Sequence, residues 1–286
     1  MNWTLTDPLK RRVIDWLTEE SPAQALPLSD YDRLAQAIQP GDVLLVEGRS
    51  RVSQIIKTIT QSSWSHAALY IGSLAQIEEP WLRKKIIEFH PFDPEEQLIV
   101  EAILGKGVIL SPLSIYRPEH IRICRPKHIL NLDVRLVIAH AINRLGQEYD
   151  VRQIIDLARL LLPYAIIPKR WRSSLFGHHP GQDVKTVCAC MLAEAFSSVH
   201  FPIVPVVQRN LQGELILYPR NSRLHMPRDF DHSPYFEIVK YPLVSFDDLA
   251  NYHKLPWDPH GTICDDETIC HTKVGTVSGA IGMHAG

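Results

Sequence analysis

Two cysteines stand close together in the stretch TVCACMLAEAF, residues 186–196, of a chain that has only five cysteines among 286 residues. Thr186 is suited to cap a helix whose first turn holds Cys188, and the unpaired N–H groups of a helix start favour a thiolate over a thiol. A thiolate in that place attacks carbonyl carbon. Cys190 lies about 200° further round a helix of 3.6 residues per turn, so the two side chains cannot face one substrate. One is expected to be reactive and the other structural. A small cysteine in an apolar helix is also ordinary packing, so a partner base has to decide between the readings.

Fourteen histidines are present, and His66 is distinguished among them because it opens the dense apolar run SHAALYIG, residues 65–72. A histidine there serves as a base or as a satisfied core residue. Glu101, in LIVEAI, is a carboxylate amid apolar residues on the next strand-like run and needs a partner if it is buried. Glu88 and His90, in IIEFHPF just before that run, are alternative polar partners. Asp42, in PGD, reads as a turn residue that tethers a strand start.

The elements that would position these groups follow from periodicity. Residues 9–38 carry apolar positions at helical spacing, interrupted by SPAQALPLSD, which predicts two short helices. VLLVEG after Pro40-Gly41-Asp42 reads as a strand and SRVSQIIKTITQ as a helix. SHAALYIG, LIVEAI, GVILSPL and HIRICRP then read as strands. DVRLVIAHAINRLGQ is an amphipathic helix stopped near Gly146, and QEYDVRQIIDLARLLL reads as another. Beyond residue 200 short strand-like pieces such as GELILYP and YFEIVKYPL are punctuated by proline, and the chain from about Asp258 is polar.

The succession GDVLLVEGRS, SQIIKTIT, SSWSHAALYIG, VEAILGKGVILSPL, GQEYD and VCACMLAEAF resembles the YiiX/YebB-like cysteine hydrolases, the circularly permuted branch of the NlpC-type, papain-like superfamily. In that branch the histidine precedes the cysteine, and the order here is His66, Glu101, Cys188. The resemblance implies an α+β fold of the permuted papain-like (NlpC-type) kind, with an antiparallel sheet packed against helices. It places the catalytic domain at residues 39–210, between a helical extension (1–38) and a C-terminal extension (211–286). It implies that Cys188 is the nucleophile, His66 its base and Glu101 the group that orients the imidazole. Ala189 and Cys190 depart from the family's small polar residue and glutamate, which leaves the choice between Cys188 and Cys190 to geometry. Tyr149 and Asp150 match the family and read as packing and capping.

The activity so implied is a thiol hydrolase or acyltransferase that works through an acyl-enzyme on an amide, ester or thioester of a peptide-like or lipid substrate. A ligand-binding module with an idle thiol is the competing class. No cofactor is required. His260, Cys264, Cys270 and His271 fit no common zinc spacing. With a net charge of −2 and a pI near 6.7, the chain has no footprint for nucleic acid. Its N-terminus lacks the features of a secretory signal, and the reading is a cytoplasmic protein. ARLLLPYAIIPKRWRSSLF, residues 158–176, suits peripheral contact with a membrane or an acyl groove, and equally a buried helix followed by a basic loop.

Overall fold

Val43–Glu47, His66–Ser73 and Gln97–Ile103 are runs in which apolar residues do not alternate with polar ones, as strands covered on both faces require. In the computed structural model they are β1, β2 and β3 of a six-stranded sheet. Its other strands are β4 (Gly107–Pro112), β5 (His120–Pro126) and β8 (Phe236–Val239), in the order β4-β3-β2-β1-β5-β8. Every pairing is antiparallel. The structure describes residues 8–22, 27–89, 91, 93–148, 188–210 and 212–243, together with three short strands beyond residue 260. The fold is the mixed α+β arrangement of a permuted papain-like protein, with helices against an antiparallel sheet.

Both faces of the sheet are occupied. Val43, Leu45, Ala67, Leu69, Leu98 and Val100 face one side, where they meet α5 (Asn131–Asn143) and α6 (Cys188–Ser197). Leu44, Val46, Ala68, Tyr70 and Ile99 face the other, against Tyr31 and Leu34 of α2 (Tyr31–Ala37). Asp30 starts α2 by accepting the Arg33 N–H at 3.1 Å. α6 is apolar all round, and from Cys188 to Ala193 every residue is buried, as expected of a helix enclosed by protein. Phe196 at its far end touches Phe201, Phe230 and Phe236, with ring centroids 5.4–6.4 Å apart. These contacts fix α6 as a rigid element.

The remaining helices are α1 (Pro8–Thr18), α3 (Arg51–Thr60), α4 (Pro80–Phe89) and α7 (Pro227–His232). α3 follows β1 directly, and the Ser50 hydroxyl caps it by accepting the Ser53 N–H. Residues 212–241, expected to form part of a C-terminal extension, supply β8 to the main sheet through its pairing with β5. β6 (Val206–Arg209) and β7 (Leu215–Tyr218) form a separate exposed hairpin. The chain divides after Tyr241. By itself, the second unit contains β9 (Thr262–Cys264), β10 (Cys270–Thr272) and β11 (Gly275–Thr276), with Cys264 opposite Cys270. No helix among the described residues is long and apolar enough to cross a membrane.

Because Phe196 is fully buried among three other rings, Phe196→Ala is expected to lower the unfolding free energy by about 3–5 kcal/mol. Urea titration measures this; a loss below about 1 kcal/mol would mean that α6 is not anchored as described.

Candidate active site

His66 is the first residue of β2, and Glu101 lies on β3 directly opposite Ala68. Residues two apart on a strand share a face, so His66 and Glu101 lie on one side of the sheet as diagonal neighbours. The His66 ring donates from Nε2 to Glu101 Oε2 at 2.7 Å. Glu101 is completely buried, and a second donor, the Tyr116 hydroxyl, reaches the same oxygen at 2.5 Å. The Ser111 hydroxyl on β4 adds to the stabilisation of the anion. Burial alone would raise the Glu101 pKa, but the hydrogen bond and charge of His66, with Ser111 and Tyr116, hold it below the usual carboxylate value.

Cys188 enters from the helical layer, at the start of α6. The ladder between β2 and β3 ends at the Ala68–Glu101 pair, and the Ala67 N–H is directed to the Cys188 sulfur. The sulfur also accepts from the Ala189 N–H and is hydrogen-bonded to the His66 ring. With Nε2 committed to Glu101, Nδ1 is the ring nitrogen left for the sulfur. Burial by itself would raise the Cys188 pKa, yet the His66 hydrogen bond and charge, joined by the two N–H groups, lower it below the ordinary thiol value. Burial likewise pulls His66 down, but Cys188 and Glu101 together outweigh it and raise the imidazole to about 10. Each of the two groups thus favours the charged form of the other.

Cys190, on the same helix, has the opposite environment. Burial and the nearby Glu194 carboxylate push its pKa up to about 12, and its sulfur lies 3.7 Å from Glu194 Oε1. Geometry therefore separates the two cysteines that the sequence leaves as alternatives. Cys124, also buried, is raised further still.

The three groups expected from the sequence, Cys188, His66 and Glu101, are thus brought into one relay, whereas Glu88 is an exposed residue of α4 whose carboxylate faces Lys84. Asp42 is buried at the start of β1, where it accepts the Gln39 N–H at 2.8 Å and pairs with Arg125 at 2.7 Å. It ties β1 to β5. Tyr116 is the contributor that sequence reading missed. It sits in the turn after β4, in SPLSIYRPEH, where no periodicity distinguishes it. His90, Tyr149, Asp150, Thr186, His260 and the segment 158–176 lie outside the described residues. No group of three or more metal-binding side chains is placed to hold an ion among the described residues.

A cleft of about 740 Å³ opens onto the relay, lined among others by Val46, Ser53, His66, Leu104, Tyr116 and Cys188. Another cavity, of about 490 Å³, lies at the other end of β1 and β2 beside Asp42 and Arg125, and no cysteine lines it. The arrangement is one that can supply a nucleophilic sulfur, a proton donor for a leaving group and a carboxylate that fixes the imidazole.

Residues 37–158 match the family described as permuted papain-like amidase enzyme, YaeF/YiiX, C92 family. No curated protein matches the chain. The resemblance to YiiX-like permuted papain-like proteins therefore holds over the strands that carry His66 and Glu101, and it supports a papain-like cysteine amidase or hydrolase kind of activity. The matched segment ends before Cys188, so the link between α6 and those strands is given by the geometry above.

Iodoacetamide at neutral pH is expected to modify Cys188 well ahead of Cys190, by mass mapping of the alkylated peptides. Cys188→Ala should remove the fast-reacting thiol and Cys190→Ala should leave it. The reverse pattern would move the reactive sulfur to Cys190.

Proposed function

We propose that the protein is a cysteine amidase that uses Cys188 as nucleophile, His66 as acid and base, and Glu101 as the group that orients and charges the imidazole. The observation that carries the reading is the continuous relay from the Cys188 sulfur through the His66 ring to the buried Glu101 carboxylate. The Cys188 thiolate attacks the carbonyl carbon of an amide. The resulting oxyanion is placed at the start of α6, where the Cys188 N–H belongs to the first turn and has no partner within the helix. Collapse of the intermediate breaks the C–N bond, and His66 gives its Nδ1 proton to the departing amine. A thioester remains on Cys188. Water, deprotonated by the now neutral His66, attacks this thioester and releases the carboxylic acid, restoring the thiolate and the imidazolium. An ester or thioester enters by the same steps with an alcohol or thiol leaving in place of the amine, and a second nucleophile in place of water turns hydrolysis into acyl transfer.

The protonation states give the pH dependence its sign. Activity requires the thiolate and the protonated imidazole together, so it rises through the lowered Cys188 pKa. It falls as the medium passes about pH 10, where His66 loses its proton. The alkaline limb of kcat/KM is therefore expected near pH 10, while alkylation of Cys188 shows no decline there.

The probe for the acyl-enzyme is p-nitrophenyl acetate, and a stoichiometric burst of nitrophenol followed by slower turnover is expected. Cys188→Ala should abolish the burst. His66→Ala should slow it by roughly 10²–10⁴-fold, the range typical of a lost general acid–base. Glu101→Gln should slow it less, because the imidazole is still present. Absence of both the burst and selective alkylation in the unaltered protein would favour a binding module whose thiol is idle.

A further inference from the structure

α1 lies outside the segment that matches the amidase family, yet its residues Ile14, Asp15 and Thr18 line the same cleft as His66 and Cys188. Two different anchors hold it there. On one side the chain just after α1 joins the start of α3. The Ser21 N–H donates to the Arg49 carbonyl at 3.2 Å, the Arg51 N–H donates to the Glu19 carbonyl at 3.3 Å, and Glu20 pairs with Ser50 as an isolated antiparallel bridge. Arg51 then grips α1 itself. Its guanidinium donates to the Trp16 carbonyl at 3.0 Å, pairs with the Glu19 carboxylate, and lies 5.0 Å from the centre of the Trp16 ring. Arg49 bonds the Ser21 carbonyl and bridges Glu20 to Glu119.

On the other side α1 leans on the turn between β3 and β4. Gly105 there has φ of +84°, and a Cβ at that position would come within 2.8 Å of the Ile14 side chain. Only a glycine lets the helix approach so closely. Leu17 completes the seat by packing into the main core. α1 thus runs from α3 to the β3–β4 turn and closes one side of the cleft, in front of a sulfur whose residue is only 2% exposed.

We infer that α1 is a specificity wall: the Ile14 face sets the width of the cleft in front of Cys188, so that slender acyl groups reach the sulfur and bulky ones do not. The inference rests on Cys188 being the reactive sulfur. No part of the wall takes part in the chemistry. Its effect is on which molecules arrive at the thiolate, which is a difference between rates and not a general loss of reactivity.

The test compares two thiol reagents of different girth, iodoacetamide and fluorescein-5-maleimide, with the Cys188 peptide followed by mass spectrometry. Ile14→Ala trims the wall in place, and Arg51→Ala loosens the grip on α1. Either should raise the ratio of the maleimide rate to the iodoacetamide rate by at least about tenfold. Arg12→Ala, an exposed change on the same helix, should not move the ratio. If Arg51→Ala fails to fold, Ile14→Ala still reads the wall. An unchanged ratio in Ile14→Ala, with Cys188 still alkylated by iodoacetamide, would overturn the wall and leave the nucleophile assignment standing. Failure of iodoacetamide to modify Cys188 in any of these proteins would remove the nucleophile assignment and the wall with it.

Discussion

An imidazole that bridges a fully buried carboxylate and a cysteine sulfur is the constraint from which the rest of this structure follows. Each ion taken alone would bear a desolvation cost of several kcal/mol, and burial is the first influence opposing the charged form of all three groups. Directed partners oppose that cost at each group. Glu101 receives the imidazole and the Tyr116 hydroxyl on one oxygen, and the Cys188 sulfur receives two backbone N–H groups besides the ring. Remove one member and the others are left as uncompensated buried charges, so the relay behaves as one unit. Measurements on single variants will report that unit and will not add up residue by residue.

Such a unit demands rigid neighbours, which the sheet and α6 provide. β2 and β3 hold His66 and Glu101 through a ladder whose last pair is Ala68 and Glu101. The end of that ladder frees the Ala67 N–H for the sulfur, so termination of a strand pair is itself part of the site. α6 comes from the opposite face, and the four-ring cluster at Phe196 fixes its far end. The cysteine thus meets the histidine where the sheet stops and the helical layer can reach past it.

Much of this was legible in the residues because the strands are covered on both faces and so appear as unbroken apolar runs. A histidine or glutamate inside such a run is conspicuous, which is how His66 and Glu101 stood out, and Cys188 stood out at the head of a small-residue helix. Tyr116 did not, since its role depends on a turn that folds back over the carboxylate, and a tyrosine beside prolines carries no mark of that. β8 was readable as the strand-like piece YFEIVKYPL, but its place in the sheet was not. Four residues near the end of the described main unit become part of the sheet only through their pairing with β5, a long-range contact that local patterning cannot express. The place of α1 beside the cleft is of the same kind: its helical spacing was readable, but its seat depends on Gly105 and Arg51, each far away in sequence.

Cys188 and Cys190 show most directly why residue type and local position were insufficient to name the nucleophile. They share a helix, a near-identical degree of exposure and two small neighbours. What differs is the sign of the charge that each meets. Two positions along the helix turn the side chain from the His66 ring and the Ala67 and Ala189 N–H groups towards the carboxylate of Glu194, which adds to burial at Cys190 and together with it outweighs the opposing pull of Ser222 and Arg223. Helix phase therefore converts one turn of chain into two opposite chemical states. The side that faces the strand end is the one that meets His66, and a cysteine moved to any other phase of α6 would lose the imidazole.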